Sequence, residues 1–240
     1  MSALLSLQGV SKSFGALKVI DDVSFDVAGG ATLGILGPNG AGKTTLFNLI
    51  GGDVRPDAGR VLLAGADIGD AAPHQRCRHG IGRSYQVPHP FAGMTVFENL
   101  LVAATFGGGQ PETEAYGACV EILEKTGLKP KANHLSGALM LLDRKRLELA
   151  RALATKPKVL LLDEIAGGLT EHEAKALVAL IQQIKATGVT IIWIEHVVHA
   201  LLAVADRLLV INFGAKLAEG APLAVMNDSE VKRVYMGIEV

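Results

Sequence analysis

Apolar positions along this chain fall into two rhythms. Residues 3–10 and 19–27 alternate or cluster as strands do, and Ala31–Leu36 is a short apolar run that stops at a glycine. Thr44–Ile50 then places Leu46, Phe47, Leu49 and Ile50 on the inner side of a predicted helix. Arg55–Gly59 reads as a turn leading into the strand Val61–Ala64. Farther along, Val159–Leu162, Val189–Ile194 and Arg207–Asn212 are buried-strand runs. Between the first two, Glu171–Thr187 carries Leu177, Leu180, Ile181 and Ile184 at helical spacing. Strands alternating with amphipathic helices predict an α/β sheet domain, and continuous apolar strands predict a sheet covered on both faces.

The middle of the chain breaks this alternation. Residues 87–111 hold Pro88, Pro90, Gly93, Gly107–Gly109 and Pro111 around a helical stretch at Val96–Thr105. Ala115–Thr126, closed by Gly127, and Leu139–Thr155 are two more helices, the latter with Leu142, Leu149 and Leu153 as core candidates. The expected organisation is a core made of 1–86 and 156–222, a helical lobe at 87–155, and a short helical tail at 223–240.

Composition narrows the function classes. The 23 basic and 24 acidic residues nearly cancel, which gives no electrostatic case for a nucleic-acid partner. Hydrophobic residues make up 49 %, but the most apolar region, Val189–Phe213, is interrupted by Glu195, His196, Asp206 and Arg207. No run approaches the roughly 18 uncharged residues of a transmembrane helix, and Met1–Leu5 lacks the features of a signal peptide. Cys77 and Cys119 have no metal-ligand spacing and read as reduced thiols.

The chemistry is concentrated at a few points. Gly37, Pro38, Asn39, Gly40, Ala41, Gly42, Lys43 and Thr44 match the phosphate-binding pattern of glycine, four residues, then Gly-Lys-Thr. Glycines let successive backbone N–H groups curl around phosphate oxygens, and the following helix points its positive end at them. Lys43 is expected at the β- and γ-phosphates, Thr44 on Mg²⁺ and Thr45 nearer the α-phosphate. The run Val159–Leu162 delivers Asp163 and Glu164 at its carboxyl end. Because side chains alternate along an extended segment, the two acids are expected to part: Asp163 to the Mg²⁺ shell through water, Glu164 to the attacking water as general base. The absence of a GTPase base-reading motif favours ATP. Gln86, at the junction of core and lobe, is placed to complete the Mg²⁺ and water shell, and His196, after the strand 190–194, to meet the γ-phosphate.

Over essentially its full length the chain resembles the ATP-binding subunits of ABC transporters. Gly37–Thr45 resembles the family's Walker A, Gln86 its Q-loop, 159–164 its Walker B, Gly168–Thr170 its D-loop and His196 its switch histidine. The resemblance also places Phe14 where the family stacks an aromatic on adenine. Gly37–Ile50, Gly93–Leu101 and Arg146–Leu153 are similar to the branched-chain amino acid importer branch. It implies an ABC-type P-loop NTPase core with an N-terminal antiparallel β portion and an inserted helical lobe. The implied partners are ATP with Mg²⁺, a second ATP-binding subunit, integral membrane permease subunits and, indirectly, a solute-binding protein. The implied location is peripheral, on the cytoplasmic face of a prokaryotic inner membrane. Rival readings are a soluble non-transport ABC ATPase, a nucleotide-gating subunit of low turnover and, least supported, a P-loop kinase.

One family motif is altered. The signature Leu-Ser-Gly-Gly-Gln normally opens the helix that ends in Ala-Arg-Ala-Leu, here Ala150–Leu153. At family spacing from Asp163, Met140 takes the serine position, Leu142 the last glycine and Asp143 the glutamine. Leu135–Ala138 keeps the first three signature residues, but only with four extra residues before the helix, about one turn. The register of Leu147–Leu153 favours the first alignment. Ile165 also replaces the usual proline after Asp-Glu, and Thr170 the usual Asp or Asn. These changes affect what the chain offers a partner, so the partner is expected to be a different subunit with an intact signature.

Overall fold

A computed structural model describes residues 3–236 of the chain. β1 (Ala3–Phe14) and β2 (Leu17–Ala28) form an antiparallel hairpin. β3 (Thr32–Leu36) is buried throughout and leads through the glycine loop into α1 (Lys43–Gly51). β4 (Ala58–Leu63), β5 (Ala66–Asp67), α2 (Pro73–His79) and β6 (Ile81–Arg83) complete the first core segment. The lobe holds α3 (Val96–Val102), α4 (Glu112–Lys125) and α5 (Leu141–Ala154). The chain returns through β7 (Val159–Asp163), α6 (Glu171–Lys185), β8 (Thr190–Ile194), α7 (Val198–Leu202), β9 (Arg207–Asn212) and β10 (Ala215–Gly220). The tail forms α8 (Pro222–Asn227) and α9 (Ser229–Val231); the end of the expected tail, 237–240, lies outside the described residues.

The strands make two sheets. One is antiparallel in the order β2-β1-β4-β5, and the other runs β10-β9-β3-β8-β7-β6, parallel except at the β10–β9 edge. Alternation in the second sheet explains its layers. Ile35, Leu161, Ile192, Ile194, Leu209 and Ile211 face the first sheet and α1, where they join Leu5, Leu7, Leu46 and Phe47. Their neighbours Leu36, Leu160, Leu162, Ile191, Trp193 and Leu208 face α6 and α7. The lobe has a separate core around Val96, Leu100, Cys119, Leu123 and Leu147. Among the described residues no helix is long and apolar enough to cross a membrane.

Several boundaries differ from expectation for local reasons. The α-helix predicted at Val96–Thr105 ends at Val102, and Ala103–Gly107 continues as a wider π-type turn into Gly107–Gly109. The helix predicted at Leu139–Thr155 is present as α5, which starts at Leu141, and a separate 3₁₀ turn at Ser136–Ala138 precedes it. Leu149 is buried as expected, whereas Leu142 and Leu153 are only partly buried because the inner face of α5 runs through Asp143, Leu147 and Ala150. Two lobe and core helices open on capping boxes, Thr95 with Glu98 and Thr170 with Glu173, so each threonine accepts a first-turn N–H. Thr170 is thus a helix cap in this fold.

α1 is fixed at both ends. Its carboxyl end stops at Gly52 in the left-handed conformation, φ 91°, where a Cβ would come within 2.8 Å of the Arg76 Nε. Arg76, fully buried on α2, donates from Nη1 to the Ile50 carbonyl at 2.9 Å and to that of Leu49. Its Nε and Nη2 donate to Ala71 and Gly69 carbonyls at 2.9 and 2.7 Å.

Candidate active site

The phosphate-binding loop connects the central strand β3 to α1. Gly42 is the N-cap of α1 at φ 102°, and a Cβ there would lie 2.7 Å from the Val19 carbonyl oxygen. Only glycine lets the loop pass this close to β2. Lys43 is buried and donates from Nζ to the Gly37 and Pro38 carbonyls at 2.7 and 3.0 Å. Burial lowers its pKa, opposed by the fields of Glu164 and Asp163. The loop walls a cavity of about 220 Å³ lined by Asn39, Gly40, Ala41, Gly42, Lys43, Thr44 and Thr45, with Val19 on one side and Glu164 on another.

β7 carries the two acids to this site. Asp163 is buried at its end, with Oδ2 accepting from Arg83 Nη2 at 3.2 Å. Burial pushes the Asp163 carboxyl up, and Arg83 pulls it back. The acids do part, but simple strand alternation is not the reason. Glu164 has left β7 and adopts φ 46°, in the left-handed region, so its side chain is aimed by a turn. Its Oε2 accepts from Gln86 Nε2 at 2.5 Å, and its Oε1 lies 2.7 Å from His196 Nε2. β7 and β8 are parallel neighbours, which brings His196 beside Glu164. Glu195, buried next to His196, accepts from the Ala166 and His196 N–H groups at 2.7 and 3.0 Å, and burial raises its pKa. The turn after β7 and the turn after β8 are therefore tied together.

Phe14 stands apart from this constellation. It sits at the β1–β2 hairpin, 50 % exposed, with Lys12 Nζ 5.6 Å from its ring centroid, and it does not line the loop cavity. Val19, which does line it, has no motif to announce it. Sequence reasoning also missed Arg83, which donates to Asn48 Oδ1 at 2.9 Å and Asp53 Oδ2 at 2.8 Å besides Asp163, and stacks on Tyr85. A second cavity, about 190 Å³, opens between core and lobe with Arg83, Tyr85, Glu148 and Arg151 in its wall.

The start of α5 has different chemistry. Ser136 is fully buried; its hydroxyl donates to the Phe91 carbonyl at 2.8 Å and accepts from Asn99 Nδ2 at 3.2 Å. Met140 is the N-cap of α5, 77 % exposed, and makes no side-chain cap. Asp143 is engaged by Lys131 and by Arg146.

Residues 20–167 match the family described as ABC transporter. The chain belongs to the ABC transporter family. It is 36 % identical to the Escherichia coli high-affinity branched-chain amino acid transport ATP-binding protein LivG, covering 98 % of each chain. It is 35 % identical to the Haemophilus influenzae lipopolysaccharide export system ATP-binding protein LptB, again over 98 % of each. The ADP conformation of MJ1267, an ATP-binding cassette of an ABC transporter, superposes with a TM-score of 0.90 at 33 % identity, covering 99 % of this chain and all of that one. This ABC chain is therefore an ATP-binding ATPase subunit with the fold expected from its sequence.

Proposed function

We propose that this ABC ATPase drives import of branched-chain amino acids or a related small organic solute, from the cytoplasmic face of a prokaryotic inner membrane. The observation that carries the catalytic part is the convergence on Glu164: Gln86 and His196 arrive from separate turns at its two oxygens, beside the phosphate-loop cavity. In this reading Lys43 leaves its loop carbonyls for the β- and γ-phosphates, and Glu164 polarises the attacking water with His196 at the γ-phosphate. Asn39 to Thr45 supply backbone donors, with Gly37 and Pro38 leading into the loop, and Phe14 reaches adenine from the hairpin.

The residues at the site suit Mg²⁺. Thr44, Asp163 and Gln86 offer a hydroxyl, a carboxylate and an amide oxygen, the hard donors that ion prefers, with water bridging to Asp163. When bound, the ion neutralises charge on the phosphate oxygens. α1, β7 and the core–lobe junction would hold Thr44, Asp163 and Gln86, respectively, toward the ion.

ATP binding would favour a closed pair of ATP-binding subunits pressing on permease subunits. Segment 87–106 is the proposed permease contact, supported by exposed Val87, Phe91 and Phe106. A solute-binding protein would act on the far side of the membrane. The second ATP-binding subunit is proposed to be a different chain. Support comes from the start of α5, where Met140 stands at the cap and the Ser136 hydroxyl is already used. A missing hydrogen bond to charged phosphate is worth about 1.5–3 kcal/mol, which makes the two ATP sites unequal.

The likeness to LivG supports import, and the comparable likeness to LptB makes direction the first property to test. Copurification from detergent-solubilised membranes is expected to yield a permease and a second ATPase. Uptake of labelled leucine should fall when the chain is deleted and return with wild type but not with Glu164→Gln. Hydrolysis without any membrane partner would favour a non-transport ATPase, and negligible turnover in the complete complex a gating subunit.

A further inference from the structure

Lys145 is a buried charge without an assigned task. It lies on α5, 4 % exposed, and among the described residues it forms no ion pair. Burial lowers its pKa, while Glu195, Glu164 and Asp163 oppose that shift. Desolvating an ammonium is unfavourable, and a methionine of similar length would fill the same space without that penalty. What the ammonium does is specific. Nζ donates to the backbone carbonyl of Gln86 at 3.0 Å and to that of Glu164 at 3.3 Å. These are the two residues whose side chains meet at 2.5 Å in the active site.

Glu164 needs such support. Its left-handed backbone, φ 46°, is uncommon for a residue with a Cβ, and such conformations persist only where surrounding contacts impose them. Its N–H donates to the Ile194 carbonyl at 2.9 Å, which ties the turn to β8. Its carbonyl accepts from Gly167 N–H at 3.2 Å within the turn, and from Lys145 across the core–lobe junction. Lys145 is thus the contact through which the lobe holds both this turn and Gln86. It lies in the first turns of α5, close to the exposed Met140 end that faces a partner in the proposed assembly.

We propose that Lys145 is a positioning residue for hydrolysis: from the helical lobe it sets Gln86 and the Glu164 turn together, so that Glu164 is aimed only while α5 is seated against the core. This rests on Glu164 being the water-polarising group. The lysine touches neither nucleotide nor water and acts through two backbone carbonyls.

The test compares Lys145→Met, Lys145→Arg and Glu164→Gln in the purified transporter complex, with ATP affinity measured separately by a fluorescent ATP analogue and folding by thermal unfolding. Lys145→Met should lower kcat by about tenfold to a hundredfold, the range expected when a reacting group is misplaced by an ångström or less. ATP affinity and KM should stay within about twofold, since the phosphate loop is untouched. Lys145→Arg, which can still donate to both carbonyls, should recover most of the rate. If Lys145→Met does not fold, Lys145→Gln keeps a neutral amide donor group on a shorter stem that cannot span both carbonyls as the lysine does, and the same split between kcat and KM is expected. A Lys145→Met enzyme with wild-type kcat beside an inactive Glu164→Gln would overturn the proposal alone. So would parallel loss of kcat and ATP affinity in both lysine variants, the mark of a packing defect. Persistent hydrolysis in Glu164→Gln would instead remove the underlying reading of the site.

Discussion

The phosphate loop and the start of α5 are both helix beginnings, and they are built in opposite ways. α1 opens on Gly42, in a loop of backbone donors with a lysine folded onto it and Glu164 across the cavity. α5 opens on exposed Met140 and Leu141, and the nearest serine is consumed inside the lobe by Phe91 and Asn99. A helix N-terminus attracts anions only if the residues around it leave its N–H groups approachable. The loop meets that condition with glycine, whereas the α5 end presents bulky apolar side chains. In the proposed reading one end would hold a triphosphate, and the other would complete a neighbour's site poorly.

The sharpest way to break this contrast is to remove chemistry from the equipped side. Glu164→Gln should reduce hydrolysis by this chain's site about a hundredfold to ten-thousandfold, the usual span for a general base, while ATP still binds. Steady-state ATPase assays of complexes mutated in one subunit at a time would check it. Equal loss from the matching change in the partner subunit would mean that the two sites are equivalent after all.

The next effect comes from repairing the poorer side. Met140→Ser with Leu142→Gly restores a hydroxyl and a small residue at the start of α5. Turnover of the whole complex should rise by about tenfold or more if hydrogen bonds of about 1.5–3 kcal/mol to phosphate are regained. The added glycine destabilises the helix by about 1 kcal/mol, so unfolding should be followed alongside the rate.

The smallest effect is the most discriminating. Ser136→Ala should leave turnover unchanged and lower stability by about 1 kcal/mol, because both hydrogen bonds of the hydroxyl are lost but Asn99 Nδ2 still donates to the Phe91 and Thr95 carbonyls. For a chain of this size that corresponds to a fall in melting temperature of about 2–4 °C. A large fall in ATPase rate with little change in melting would show that Ser136 reaches nucleotide and that the α5 end is better equipped than its contacts indicate.

Much of the layout was legible before the structure because it depends on local pattern. The glycine loop, the apolar strands on either side of the sheet and the Asp163–Glu164 pair each announce themselves within a few residues. His196 was visible only as a residue after its strand, and it is the β7–β8 pairing that brings it to Glu164. Residues that act across distance did not. Lys145 lies between Arg144 and Arg146 and reads as part of a solvated helix face, yet it crosses the junction to Gln86 and Glu164. Arg83 has no spacing rule that links it to Asp53 and Asp163. The left-handed turn at Glu164 overrides the strand alternation that alone suggested where its side chain points. Short elements such as β5 and α2 carry too few residues for periodicity to register.

Arg76 gives the phosphate loop a counterweight at the other end of α1. A helix of about nine residues is only some 13 Å long, so its partially negative carboxyl end lies close enough to weaken the field its amino end presents to an anion. The buried guanidinium places a full positive charge at that far end, through the Leu49 and Ile50 carbonyls, and anchors it to Gly69 and Ala71. The short helix then behaves electrostatically like a longer one. When a triphosphate arrives, the attraction at one tip is opposed by less repulsion from the other, and the helix is braced against being drawn toward its ligand.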